Sequence, residues 1–176
     1  MTALVRGMAI VAWLASAAAA EEPRAEAELA PTYLVTQLLP NERLLLRKVL
    51  LRNVKTGKDV KVNVSAEPAV IEVEPGLYYL RRVDTAYFNL SSMRIAEPAQ
   101  KYELQPGHAN YIGDLHIALV DKPKRHLSWQ FLLNAQTLAA AAARHADAFR
   151  RASPLLLVLG AEPVAIDLAG LPAPSD

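Results

Sequence analysis

The sequence contains no cysteine, and this absence excludes several kinds of site together. Disulfide bonds, thiolate metal ligands and a cysteine nucleophile all require the missing thiol. The acylated cysteine of a bacterial lipoprotein is excluded for the same reason. A chain exported without disulfides is more typical of a bacterial periplasm than of a eukaryotic secretory route, in which small domains are usually cross-linked.

Charged residues are balanced and scattered along the chain. It has 19 basic and 18 acidic residues and no long run of either sign. The pattern therefore indicates neither a basic segment for nucleic acid nor an acidic tail. A glycine-rich phosphate loop and a Gly-x-Ser-x-Gly nucleophile motif are missing as well. We predict no nucleic-acid partner and no cofactor, and we identify no catalytic residue.

Long hydrophobic runs are also missing, and the first apolar stretch has the form of a secretory signal peptide. Arg6 supplies the positive charge, Met8 to Leu14 the apolar segment, and Ala18 to Ala20 the small residues that signal peptidase recognises. The stretch from Gly7 to Ala20 has 14 residues, whereas a membrane-spanning helix needs about 20. We predict a signal peptide over residues 1–20, cleaved near Ala20, and a flexible leader over residues 21–32. The mature protein is then periplasmic or secreted, without stable membrane insertion; a retained anchor is the alternative.

Two copies of one short pattern organise the rest of the chain. Val73-Glu-Pro-Gly76 and Leu104-Gln-Pro-Gly107 each precede a run of β-forming residues. Proline presets φ near −65° at the second position of a turn, and glycine accepts the positive φ that a type II turn needs at the third. Each copy therefore predicts a strand, a tight turn and a strand.

Alternating apolar residues predict most of the remaining strands. Asp59 to Val64 alternates strictly, with Val60, Val62 and Val64 toward the core. Residues 43–54 are apolar on both sides, which is typical of a strand that is covered on both faces or that continues past a β-bulge. Further strands are expected at residues 69–73, 77–83, 87–90, 93–95, 110–120 and 127–133.

The hydrophobic period changes from two to that of a helix after Asn134. A single stripe contains Leu138, Ala142, His145, Phe149 and Ala152. Asn134 is a suitable N-cap, and Pro154 ends the helix. We predict a mainly β protein: an antiparallel β-sandwich of about seven strands with one C-terminal α-helix at about residues 135–152. The domain covers residues 33–160, with a docking segment at 155–159 and a tail at 161–176.

The two turns, with Tyr111-Ile-Gly-Asp-Leu115 after the second, resemble those of small bacterial envelope proteins of uncharacterised function. Those proteins are thought to have a prealbumin-like sandwich, similar to the regulatory domains of carboxypeptidases. The resemblance covers residues 43–133 and consists of turn and strand motifs. It implies a sandwich fold and an envelope location, and it carries over no catalytic residue.

The predicted strand at 110–120 contains one set of candidate site residues. Asn110, Asp114 and His116 occupy even positions, which should place them together on a solvent-exposed face. Asp114 and His116 would lie about 7 Å apart at Cα. A carboxylate beside an imidazole can orient a general base or contribute to a metal site. A solvated polar face is the alternative, and no third ligand at metal-binding spacing accompanies them.

Two tyrosines and two arginines form the second set. Tyr78 and Tyr79 point to opposite faces of their strand, so one should be near the surface, where Arg81 and Arg82 could contact an acidic partner. Trp129 is predicted to lie in the core, and His145 is predicted to be a half-buried packing residue on the apolar side of the helix. We predict a non-catalytic, exported binding or interaction module of the cell envelope, with an envelope protein or a glycan as its partner. The alternatives are a metal-binding protein or hydrolase that uses Asp114 and His116, and a glycan- or peptide-binding domain that uses exposed tyrosines.

Overall fold

The structure is a computed structural model, and it describes residues 30–42, 44–86, 92–95, 101–120, 126–157 and 162–172. The predicted signal peptide, most of the predicted leader and the predicted strand at 87–90 lie outside these residues. The described chain forms eleven strands. In chain order they are β1 Tyr33–Pro40, β2 Leu46–Asn53, β3 Asp59–Asn63, β4 Ala69–Glu72, β5 Gly76–Thr85, β6 Ser92–Arg94, β7 Tyr102–Leu104, β8 His108–Val120, β9 His126–Leu132, β10 Ser153–Leu156 and β11 Val164–Ala165.

The strands form two sheets. The first has the order β4-β1-β8-β10-β11, and β9 pairs with the second half of β8. The second has the order β3-β2-β5-β6, and β7 pairs with the start of β5. The prediction of a mainly β sandwich with a C-terminal helix is confirmed. The first sheet, however, is mixed rather than antiparallel, because β1 and β10 both run parallel to β8.

Both Pro-Gly turns connect one sheet to the other. The first leads from β4 in the first sheet to β5 in the second, and the other leads from β7 back to β8. Gly76 has φ of 131° and Gly107 has φ of 73°. These positive values explain why glycine follows proline at both places. Both Pro-Gly sequences therefore form a turn between two strands, as predicted.

The apolar inner faces of the sheets form the main core. It contains Val49, Leu51, Val62, Leu80 and Val83 from the second sheet and Leu34, Leu38, Leu115, Ile117 and Leu119 from the first. Val62 is buried and Val60 is partly buried, as predicted, but Val64 lies after the end of β3 and is 37% exposed. Trp129 is half-buried and packs against this core, in agreement with its predicted position.

The predicted helix is divided into α1, Ala135–Arg144, and α2, Ala146–Arg151. Asn134 is the N-cap, as predicted, and its side chain accepts a hydrogen bond from the backbone N of Gln136. Leu138, Ala141 and Phe149 pack on the outer side of the first sheet, against Val35 and Tyr111. His145, predicted to be half-buried, is so, and it stands between the two helices.

The residues after the helices join the first sheet instead of forming a loose tail. Residues 153–156, close to the predicted docking segment, are β10, which pairs in parallel with β8. β11 pairs with β10, and Ile166 and Leu168 pack beside the helices. The folded region therefore extends past residue 160, the boundary that the sequence suggested.

Candidate functional site

The outer side of the second sheet carries a cluster of eight charged side chains. Strand alternation turns one side chain in two toward the core and leaves the others facing out. The register of β3, β2, β5 and β6 then aligns the outward residues in rows across the strands. We call this surface the basic face. It consists of Lys48, Leu50, Arg52, Asp59, Lys61, Tyr79, Arg81, Arg82, Asp84 and Arg94.

One margin of the basic face is organised by Asp59. Arg52 pairs directly with it across the strands, with Nε 2.8 Å from Oδ1 and Nη2 3.2 Å from Oδ2. Arg81 reaches the same carboxylate because it is the extra residue of a β-bulge, in which Leu50 pairs with Arg82 and Leu51 with Leu80. The hydrogen bonds from Arg52 lower the pKa of Asp59, and the charge of Arg81 acts in the same direction. Asp59 therefore holds two guanidinium groups in place.

The opposite margin is organised by Asp84. Arg82 approaches this carboxylate with two nitrogens, at 2.5 and 2.9 Å, and Lys48 Nζ lies 3.6 Å from it. Asp84 is 5% exposed, whereas the arginine and lysine side chains are about one-third exposed. Paired arginines of this kind lose little conformational freedom when they bind a further anion, because they are already held.

Between these two margins runs a row that carries only positive charge. We call Lys61, Leu50, Arg82 and Arg94 the middle row, and they face each other in this order across β3, β2, β5 and β6. Neither Lys61 nor Arg94 forms an ion pair with another described residue. Arg82 and Arg94 are direct cross-strand neighbours, an arrangement that like charge makes unfavourable. Asp84 already compensates Arg82, so Lys61 and Arg94 are the charges of this row that a bound anion would neutralise.

The structure brings three of the four predicted tyrosine and arginine residues together. Tyr79, Arg81 and Arg82 all lie on the basic face, and Tyr79 is half-buried beside Arg52. Tyr78 is buried in the main core, where its hydroxyl donates to the backbone oxygen of Glu74 at 2.7 Å. The prediction that the two tyrosines face opposite sides is therefore confirmed, and Tyr78 is not available as a binding residue.

The candidates on β8, Asn110, Asp114 and His116, do not share a solvent-exposed face, and that prediction is wrong for Asn110 and Asp114. Asn110 and Asp114 are both fully buried. Gly113, with φ of 94°, lies at an irregularity of β8, where the pairing with β1 shifts register. The shift reverses the alternation, so Asp114 lies on the helix side of the sheet with Tyr111. Asn110 precedes the shift and bonds instead to the backbone of Tyr33, Gln105 and His108.

Asp114 connects the first sheet to the start of α1. It accepts hydrogen bonds from the hydroxyl of Tyr111 at 3.0 Å and from the hydroxyl of Thr137 at 2.7 Å. The Tyr111 hydroxyl in turn accepts from the backbone N of Asn134. Burial and the nearby carboxylate raise the pKa of Tyr111, which keeps its hydroxyl protonated. This arrangement fixes the helix to the sheet.

His116 lies farther along β8, at a shallow cavity of about 390 Å³. Leu39, Asn41, Ser128 and Gln130 also line it. Asp114 is not among the lining residues, so the predicted carboxylate–imidazole pair does not open onto a common cavity. Within the described residues, no group of three or more histidine or acidic side chains is placed to hold a metal ion. No helix in the same part of the chain is long and apolar enough to span a membrane.

Comparison with protein families, with curated proteins and with solved structures found no match. The function therefore has to be argued from the residues themselves. Six of the charged residues on the basic face were not among the sequence-derived candidates: Lys48, Arg52, Asp59, Lys61, Asp84 and Arg94. Alternation identified Asp59 and Lys61 as solvent-facing, but only the pairing of distant strands shows that they join Arg81 and Arg82.

Proposed function

We propose that the protein is a non-catalytic binding module of the bacterial cell envelope and that the basic face binds an anionic partner. The observation that carries this proposal is the middle row. Its positive charges come from three different strands and are uncompensated at both ends within the described chain. Arginine and tyrosine are also the residue types most enriched in binding surfaces.

The placement of the other candidates supports a non-catalytic role. A general base or a metal ligand has to reach its substrate or metal. Asp114 is fully buried, and its two oxygens bond to Tyr111 and Thr137 inside the layer between sheet and helix. Its position suits a structural role better than a catalytic or metal-binding one.

The location and the family remain parts of the proposal. The apolar N-terminal segment followed by small residues supports export, and the absence of cysteine supports a bacterial periplasm. The two Pro-Gly turns and the sequence from Tyr111 to Leu115 are the motifs on which the proposed resemblance to prealbumin-like envelope proteins rests. None of these arguments depends on the basic face.

Calorimetric titration with dextran sulfate, a generic polyanion, tests the proposed surface. Uncharged dextran is the matched ligand control. Replacing both ends of the middle row, Lys61→Gln with Arg94→Gln, should weaken binding by an order of magnitude or more, since each basic residue near an anionic surface contributes about 1 kcal/mol. These two residues are chosen because neither supports a described ion pair, so the fold should persist.

Arg151→Gln is the control variant, because Arg151 is an exposed arginine of α2 on the opposite side of the molecule. It should bind dextran sulfate as the wild type does. Equal weakening by the control and by the double variant would show that overall charge, and not the basic face, determines binding. Failure of the wild type to bind dextran sulfate at low salt would remove the proposal.

A further inference from the structure

We propose that the anionic partner is a linear acidic polysaccharide that lies across the strands, along the middle row. This inference rests on the proposed function and specifies its ligand. Lys61, Arg82 and Arg94 would contact the acidic groups, Leu50 would contact a sugar ring, and Tyr79 would contact the ring beside it.

The charge pattern favours a narrow ligand. The flanking rows contain Asp84 on one side and Asp59 on the other, each two residues along a strand from the middle row. Residues two apart in a strand are separated by about 7 Å. Asp59 is the more exposed of the two, with 26% of its side chain accessible, and a broad anionic surface such as a lipid bilayer would press against it. A single extended chain along the middle row would avoid Asp59 and meet Lys61, Arg82 and Arg94.

The spacing of the row suits a chain of sugar rings. Neighbouring strands are about 4.8 Å apart, so Lys61 and Arg94 lie about 14 Å from each other at Cα. A pyranose unit in a linear chain is similar in length to one strand spacing. Acidic groups on units near the two ends would therefore meet Lys61 at one end and Arg82 with Arg94 at the other. The unit between them would lie over the half-buried Leu50.

Tyr79 favours a sugar over an acidic peptide. It is half-buried in the row next to Leu50 and Arg82. Diagonal neighbours across strands lie about 7 to 8 Å apart, within reach of an aromatic side chain. A tyrosine ring offers a flat apolar surface and a polar hydroxyl at a small cost in conformational entropy. The C–H face of a pyranose fits such a surface, whereas a polyglutamate chain has no comparable ring.

The test uses hexamers of galacturonic acid, measured by calorimetry with the full mature chain. The matched ligand control is the same hexamer with its carboxylates methyl-esterified, which keeps the rings and removes the charge. We expect the acidic hexamer to bind and the ester to bind at least ten-fold more weakly. Arg94→Gln should weaken binding of the acidic hexamer about five-fold, and Arg151→Gln should leave it unchanged.

Two variants of Tyr79 separate a sugar-binding role from a purely electrostatic one. Tyr79→Leu should weaken binding of the acidic hexamer by roughly three- to ten-fold, the range of a typical aromatic contact. It should leave binding of inorganic polyphosphate, a polyanion without sugar rings, nearly unchanged. Tyr79→Phe keeps the ring and should restore most of the hexamer affinity. Thermal unfolding of each variant checks that the sheet is intact.

Three outcomes would overturn this inference. Binding of poly-L-glutamate, or of vesicles rich in phosphatidylglycerol, at equal or greater affinity would identify a different partner. An acidic hexamer that binds no better than its ester would exclude recognition of the carboxylates. No effect of Tyr79→Leu on hexamer binding would exclude the ring contact. In each case, retained binding of dextran sulfate through Lys61 and Arg94 would leave the proposed function standing, whereas its loss would remove both.

Discussion

Gly113 determines which side chains of β8 face the helices. The sequence pattern from 110 to 120 was interpreted as uninterrupted alternation, which put Asn110, Asp114 and His116 on one face. A glycine inside a strand often indicates a bulge, and here it has φ of 94°. That signal was present in the sequence. What the sequence did not provide was the position of Leu132, whose backbone oxygen would lie 3.0 Å from a Cβ atom at residue 113.

Gly113→Ala should destabilise the protein by about 1–3 kcal/mol, because a non-glycine residue at this φ is strained and its Cβ crowds the neighbouring strand. Urea unfolding followed by circular dichroism measures the change. Gly170→Ala is the control, since a Cβ there meets no atom within 4 Å and φ is not positive. Equal stability of the two variants would show that the bulge tolerates a side chain.

The contact between Tyr111 and Asp114 should stabilise the docking of α1. Tyr111→Phe removes a donor to the buried carboxylate and an acceptor for the Asn134 backbone, so we expect a loss of about 1–3 kcal/mol. A double-mutant cycle with Asp114→Asn should give a coupling energy of at least 0.5 kcal/mol. Tyr102→Phe is the control, because Tyr102 is a buried tyrosine whose hydroxyl bonds to no other described residue. A cycle with zero coupling would contradict the proposed contact.

At the scale of the elements, local signals located the turns and the helix start correctly. Asn134 is the N-cap that its residue type suggested, and Gly76 and Gly107 adopt the positive φ that follows proline in the predicted turns. The division of the helix at His145 was not predicted. The apolar stripe continues from Leu138 to Phe149 on both sides of the break, so hydrophobic period alone does not reveal it.

The ion pairs that join β2, β3 and β5 should make stability depend on pH. Hydrogen bonds from Arg52 lower the pKa of Asp59 below its ordinary value of 3.8. The stabilisation by these contacts is therefore complete above that value and is lost as the pH falls below it, because the unfolded chain binds the proton more readily. Asp59→Asn should reduce the unfolding free energy at pH 6 more than at pH 3.

The matched control for this pH dependence is Glu162→Gln, which removes an exposed carboxylate that has no ion pair with another described residue. Its effect should be small and nearly the same at pH 6 and pH 3. Chemical denaturation at both pH values gives the comparison. A reduction by Asp59→Asn that is as large at pH 3 as at pH 6 would contradict the assigned role of Asp59.

At the scale of the whole molecule, the sequence predicted the two packed sheets better than the pairing of strands within each sheet. Alternating valines and leucines indicated which side of each strand is buried, and this was enough for a sandwich. The parallel pairing of β1 with β8 joins residues such as Val35 and Tyr111, which are far apart in the chain and share no local signal. The basic face depends on the same kind of long-range information, because Lys61, Arg82 and Arg94 come from three strands.

The distribution of charge also differs from what composition suggests. The chain has a formal net charge of only +1, and removal of Arg6 with the signal peptide would make it neutral. A chain with so little net charge should be attracted only weakly to anionic lipid or nucleic acid at long range. Strands β3, β2, β5 and β6 nevertheless gather six basic side chains against two acidic ones on a single face. Binding through it should therefore be short-ranged and weakened by salt.

The most direct test of the central claim is a map of backbone amide chemical shifts by NMR while the acidic hexamer is added. The account predicts that the largest changes occur on β3, β2, β5 and β6, centred on Lys61, Arg82 and Arg94, and that α1 and α2 are unaffected. Chemical-shift changes centred instead on the cavity at His116 or on the helices, without changes at the middle row, would contradict it.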